Sequence, residues 1–130
     1  MERFYYSTKV LKTIAENYGK MYDGLEFREG HLVTNPWSLA EYRVDFDSAL
    51  CSIGQGEWDG RLADFKYYRN FGKLQRVIIA DILGVTDKEL ARLGFWSVPK
   101  LRGLGYFMMK RFLNGVDIDN ESCYDDNRGE

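Results

Sequence analysis

A chain of 130 residues holds one folded domain with at most an appendage, and 45% hydrophobic and 15% aromatic content supports a packed core against global disorder. No apolar run approaches the ~18 residues needed to cross a bilayer, and no cleavable signal opens the chain, so a cytoplasmic protein without a membrane partner is expected. The net charge of −2 speaks against a nucleic-acid binder only as an average.

Residues 1–60 carry 6 Lys/Arg against 10 Asp/Glu, residues 61–116 carry 11 against 4, and residues 117–130 carry 1 against 6. The middle segment is therefore basic, as an electrostatic footprint on DNA would be. An acidic tail that merely offsets a basic surface for solubility gives the same numbers. The organisation expected is an N-terminal helical or accessory region over 1–56 packed on the rest, a helix-turn-helix region over 57–116, and an acidic tail without fixed structure over 117–130. The two cysteines, Cys51 and Cys123, are too far apart in sequence for a metal or redox pair and read as reduced thiols.

Taken in order, Val10, Leu11, Ile14, Tyr18, Met21, Tyr22 and Leu25 fall at helical spacing behind Ser7, a suitable N-cap, and predict an amphipathic helix over 7–22. Leu25 to Thr34 changes pattern around Glu29-Gly30 and reads as either a small β-hairpin or only a turn. His31, the single histidine, has no second ligand or base partner nearby and carries no chemistry. Pro36 suits the first turn of a short helix through Trp37, Leu39 and Tyr42. Phe46, Ala49, Leu50 and Ile53 make a further helical stripe, closed by Gly54-Gln55-Gly56, which lacks the pattern of a phosphate loop.

Trp58, Leu62 and Phe65, with Tyr68 or Phe71, repeat at helical spacing, and the basic and aromatic Arg61, Lys66, Tyr67 and Arg69 lie between them. A helix over 58–71 is expected. Leu74, Val77, Ile78, Ile82 and Leu83 define the next helix, stopped at Gly84.

Thr86-Asp87-Lys88-Glu89 has the form of a capping box, with Leu90, Ala91 and Leu93 facing inward and Gly94 turning the chain. Ser97 is the expected cap of the following helix, with Pro99 in its first turn. Val98, Leu101, Leu104, Met108 and Phe112 are assigned to its inner face, which leaves Lys100, Arg102, Tyr106, Lys110 and Arg111 outside. Capped helix, tight turn and basic helix together outline a helix-turn-helix, whose second helix, here about 97–113, enters the DNA major groove.

The run Leu74-Gln75-Arg76-Val77-Ile78, then Gly84 to Ala91, then Leu93-Gly94-Phe95 and Ser97-Val98, resembles the region-four helix-turn-helix of bacterial sigma factors and of small phage and prophage regulators. The resemblance covers Leu74 to Asn114. It departs from that pattern in a step from Ala91 to Gly94 one residue short, in Pro99-Lys100, and in Gly103 and Gly105 within the second helix, which mark either a tight contact with another helix or with DNA, or an adapted motif that no longer binds DNA. What it implies is a groove-facing role for Ser97, Lys100 and Arg102 and a backbone contact at Lys110. Tyr106, Arg111, Arg69 and Lys73 complete the expected DNA-binding set.

The expectation is a mainly α, compact multi-helix domain acting as a sequence-specific double-stranded DNA-binding transcriptional regulator of phage or prophage type. Expected partners are duplex DNA and RNA polymerase or another host protein, with a homodimer open. No cofactor, metal site or catalytic residue is expected, because no nucleophile–base pair, ligand cluster or carboxylate pair can be assembled. The alternative is a phage or mobile-element accessory protein that inhibits a host protein, such as a CRISPR nuclease, through protein–protein contacts.

Overall fold

The computed structural model describes residues 5–20, 26–28, 31–33 and 36–115 and is mainly helical. The first helix, α1 (Thr8–Glu16), starts where Ser7 Oγ accepts the amide of Val10 at 3.1 Å. It ends earlier than the sequence pattern suggests. Asn17 leaves helical geometry and its side chain caps the Thr13 carbonyl at 2.9 Å, and a 3₁₀ turn over Tyr18–Lys20 follows. Leu11, Ile14 and Tyr18 are buried as expected. Met21, Tyr22 and Leu25 lie outside the described residues, as do the acidic tail and Cys123.

A two-stranded antiparallel hairpin pairs β1 (Glu26–Arg28) with β2 (His31–Val33), with Phe27 opposite Leu32. The two short helices expected after Pro36 form a single one, α2 (Pro36–Ser52), with proline in its first position. Phe46, Ala49 and Leu50 are fully buried on it and Ile53 just beyond it.

The helix expected over 58–71 is not formed. Residues 57–64 are irregular, and only a 3₁₀ turn over Phe65–Tyr68 follows. Side-chain bonds account for this. Asp59 Oδ1 accepts the Arg61 amide at 3.1 Å, Gly60 takes a left-handed φ of 86°, and the Tyr68 hydroxyl donates to the Arg61 carbonyl while accepting from Ala63 N at 3.3 Å. Trp58 is buried against Tyr18 and Tyr68, with ring centroids 5.7 Å away in each case. Its Nε1 donates to Asp47 Oδ1 at 2.7 Å, the same oxygen that accepts the Tyr18 hydroxyl at 2.7 Å. Cys51 Sγ donates to the Trp58 carbonyl at 3.3 Å.

The remaining helices are α3 (Lys73–Leu83), α4 (Asp87–Arg92) and α5 (Val98–Asn114). Gly84 ends α3 in the left-handed conformation, φ 80°. Its fully buried Gln75 saturates all four amide positions. Oε1 accepts from Gly56 N and Gly72 N at 3.0 Å each, and Nε2 donates to Leu50 O at 3.1 Å and Gly56 O at 2.8 Å. That polar knot requires Gly54, since a Cβ there would fall 2.2 Å from Gln75 Oε1.

Two cores result. The larger runs from Tyr6 and α1 through α2, Trp58 and Tyr68 to Ile78, Ile79, Tyr106 and Met109. The smaller joins Val77 and Ala80 of α3 to Leu90, Phe95 and Val98 at the α3–α4–α5 corner. Tyr6 and Asn114 close the domain by a reciprocal pair. Tyr6 N donates to Asn114 Oδ1 at 3.0 Å, and Asn114 Nδ2 donates to Tyr6 O at 2.7 Å. No helix among the described residues is long and apolar enough to cross a membrane.

Candidate nucleic-acid interface

The Thr86 capping box is present. Thr86 Oγ1 accepts from Glu89 N at 3.2 Å, and Glu89 Oε1 accepts from Thr86 N at 3.0 Å. Leu90 faces the core, but Ala91 and Leu93 are exposed, correcting their expected inward placement. A helix of only six residues presents one narrow face to its neighbours, and Leu90 with the following Phe95 fills the space beneath it. Gly94 turns the chain at φ 96°. Trp96 is then 78% exposed, which the sequence pattern did not single out.

Ser97 stands at the expected cap position of α5 but takes φ 52°, ψ 50° and makes no side-chain cap bond, so its role as hydroxyl cap is corrected. Its carbonyl accepts the Leu101 amide at 3.0 Å, and its side chain stays exposed beside Pro99 and Lys100.

Beyond Lys100 the helix faces differently from the expectation. Gly105 lies against α3, where an added Cβ would be 3.1 Å from Ile78 Cδ1 and 3.6 Å from the Leu74 carbonyl. Of the two helical glycines, Gly105 marks the helix–helix contact, while Gly103 has nothing within 4 Å of its Cβ position. Close approach at Gly105 turns Tyr106, Met109, Lys110 and Asn114 inward. Leu104, Met108 and Phe112, expected inside, are 44%, 37% and 52% exposed.

Three of the expected DNA contacts are thereby engaged within the fold. Arg102 Nε donates to both oxygens of Asp81 at 3.1 Å, and its Nη atoms bond the Asp87 carboxylate at the start of α4. Asp87 is held below the usual carboxylate range by this hydrogen bond. Tyr106 is buried and donates to Asp81 Oδ2 at 2.7 Å, and burial first, then the Asp81 charge, pushes its phenol well up. Lys110 is 2% exposed, with Nζ 6.0 Å from the Tyr5 ring centroid. Tyr106 and Lys110 do not face outward.

The other five expected contacts reach solvent. Ser97 and Lys100 are exposed at the start of α5, and Lys73 and Arg69 are exposed at and before the start of α3. Arg111 is half-buried at the far end of α5. It sits 5.8 Å from the Phe107 ring and lines a shallow cleft of about 250 Å³ with Ser52, Ile53, Met108 and Phe112.

Arg69 shares a second cleft with Asp64, Phe65, Lys66, Arg76 and Leu93, so the 3₁₀ turn and the α4–α5 turn meet there. Arg76 escaped the sequence reading because it sits inside the apolar run of α3. Its only sequence signal is a charge on an otherwise inward-facing helix. No cluster of three or more metal-ligating side chains occurs among the described residues.

No protein-family model matches this chain, and neither the curated proteins nor the solved structures contain a match to it.

Proposed function

We propose that the protein binds double-stranded DNA, with the segment from α4 to α5 acting as a helix-turn-helix and the first turn of α5 entering the major groove. One observation carries this reading. Trp96, Ser97, Pro99 and Lys100 project together at a helix start, and the helix behind them is clamped to both α3 and α4 by Arg102. A helix used to read base edges must be held rigidly, and its amino-terminal end also favours phosphate oxygens. The Arg102 clamp offsets the charges of Asp81 and Asp87, which would otherwise repel DNA close to that end.

In this reading Ser97 and Lys100, with Trp96, face the groove. Lys73, Arg69 and Arg111 meet phosphates, which position the protein without reading sequence. Arg102 and Tyr106 hold the recognition helix in place. The role is regulation of transcription, of the kind that phage and prophage regulators perform.

The test is selection of bound duplexes from a random pool by the full-length protein, followed by affinity measurements across salt concentrations. Enrichment of a common sequence is expected, with a steep salt dependence and loss of sequence preference in Lys100→Glu. A pool that stays random, or unchanged preference in Lys100→Glu, sinks the reading.

A second reading is favoured by the exposed Leu104, Met108 and Phe112, spaced by four along α5. A stripe of this kind suits a protein partner, RNA polymerase or another host protein that the chain inhibits. Under that reading Met108→Glu abolishes a host-protein interaction and leaves duplex binding intact.

A further inference from the structure

The cleft between the 3₁₀ turn and the α4–α5 turn has a volume of about 470 Å³ and contains an arginine with unusual surroundings. The Arg76 guanidinium lies over two adjacent phenyl rings, 5.1 Å from the Phe65 centroid and 4.8 Å from that of Phe95. The two rings are themselves 6.3 Å apart. Its Nε is buried without a hydrogen-bond partner. Arg76 takes part in none of the ion pairs found among the described residues.

Ring faces attract a guanidinium, but they neither neutralise it nor accept its N–H bonds. Burial lowers the Arg76 pKa, and no neighbouring acid acts in the opposite direction. A guanidinium nevertheless stays protonated, so the helix retains a partly desolvated cation without a counter-charge. Such a group costs stability unless an anion joins it.

The rim of the cleft adds Lys66 and Arg69, both exposed, and a single carboxylate, Asp64. Three cations lining one cleft, one of them a planar donor fork with a buried Nε, match a multiply charged oxyanion better than a single carboxylate. We propose that this cleft binds a phosphate group, with Arg76 making the inner contacts and Lys66 and Arg69 the outer ones. The inference does not rest on the major-groove reading. The phosphate is either a diester in a nucleic-acid backbone or a free phosphate or monoester, and the same three side chains serve both.

The experiment follows the Arg Nε–H signals of the full-length protein by ¹H–¹⁵N NMR. Inorganic phosphate is titrated at constant ionic strength in one arm, and a short DNA duplex in the other. The Arg76 signal is expected to shift saturably with at least one probe. A response to phosphate alone assigns the free anion, and a response to the duplex alone assigns the backbone diester. Arg76→Met keeps a flexible apolar chain against the rings while removing the charge, and affinity for the responding probe should fall about tenfold or more. Arg69→Glu, at an exposed position, should weaken the same response several-fold without touching the core.

Silence of Arg76 toward both probes overturns the proposal, as does wild-type affinity in Arg76→Met and Arg69→Glu. The groove reading fails separately. If the wild type ignores duplex but answers to phosphate, the cleft stands and the DNA reading falls. If Lys100→Glu loses duplex while Arg76 answers to neither probe, the cleft proposal fails and the groove reading survives.

Discussion

Arg102 on α5 shares its Nε hydrogen between the two carboxylate oxygens of Asp81 on α3, 3.1 Å from each, and so fixes how the two helices meet. Both side chains are largely shielded, at 17% and 11% exposure, so the pair is screened far less than a surface bridge. Arg102→Ala should destabilise the protein by about 2–3 kcal/mol, measured by urea unfolding, because it strands the Asp81 charge. Tyr106→Phe removes one bond to the same carboxylate and should cost about 1 kcal/mol. An Arg102 that served only as a DNA contact would leave the unfolding midpoint unchanged.

Gln75 ties three chain segments by its amide, and no other side chain of that size offers two donors and two acceptor sites together. Gln75→Leu should cost at least about 2 kcal/mol, since two carbonyls and two amides lose their partner. Gln75→Glu keeps the acceptor but sets a carboxylate oxygen against the Leu50 and Gly56 carbonyls. Its thermal stability should therefore improve as the pH is lowered and the acid protonates. Gly54→Ala should be destabilising for the steric reason given by the 2.2 Å separation from Gln75 Oε1.

Buried phenols predict the alkaline limit of the fold. Burial and the hydrogen bond to Asp47 push Tyr18 up to about 12, and burial with the Asp45 bond pushes Tyr6 higher still. A folded-state value above the unfolded one favours the neutral phenol in the native protein. The contribution is complete below the ordinary phenol value of about 10 and is lost as the pH rises through the folded value. The denaturation midpoint should accordingly fall between about pH 10 and 12. Tyrosinate absorbance from Tyr6 and Tyr106 should appear only with unfolding.

Two carboxylates act in opposite senses in acid. Asp87, lowered by Arg102, stabilises above the usual carboxylate range, and that contribution disappears as the pH falls through its folded value. Asp47 is raised by burial, so its contribution is present in acid and lost as the pH rises through its folded value. Because Tyr18 and Trp58 both donate to Oδ1 of Asp47, an asparagine can accept the same two bonds. Asp47→Asn should stay within about 1 kcal/mol of wild type at neutral pH, while Asp47→Leu should cost about 2 kcal/mol or more. Equal losses in the two variants would show that the charge, and not the acceptor, holds Trp58.

By itself the sequence determined what is decided within a few residues. The Ser7 cap, the glycine stop of α3, the Thr86–Glu89 box and the turn at Gly94 all formed where expected, because each depends on near neighbours satisfying backbone groups. The mainly helical class was legible for the same reason, whereas the pattern around Glu29-Gly30 left a hairpin and a turn both open, and the pairing of β1 with β2 decides for strands. Tertiary structure decided the rest. The apolar spacing of residues 58–71 matched a helix, but bonds from Trp58 to Asp47 and from Tyr68 to Arg61 hold that chain in another shape. On α5, apolar side chains occupy nearly the whole circumference, so spacing alone selects no inner face. Gly105 resting on Ile78 selects it, burying Tyr106 and Lys110 and turning Leu104, Met108 and Phe112 outward. A cation's availability to a ligand depends on which carboxylates the fold brings to it. Arg102 meets two, while Arg76 meets two phenyl rings, and that difference exists only once α3, α4 and α5 are packed together.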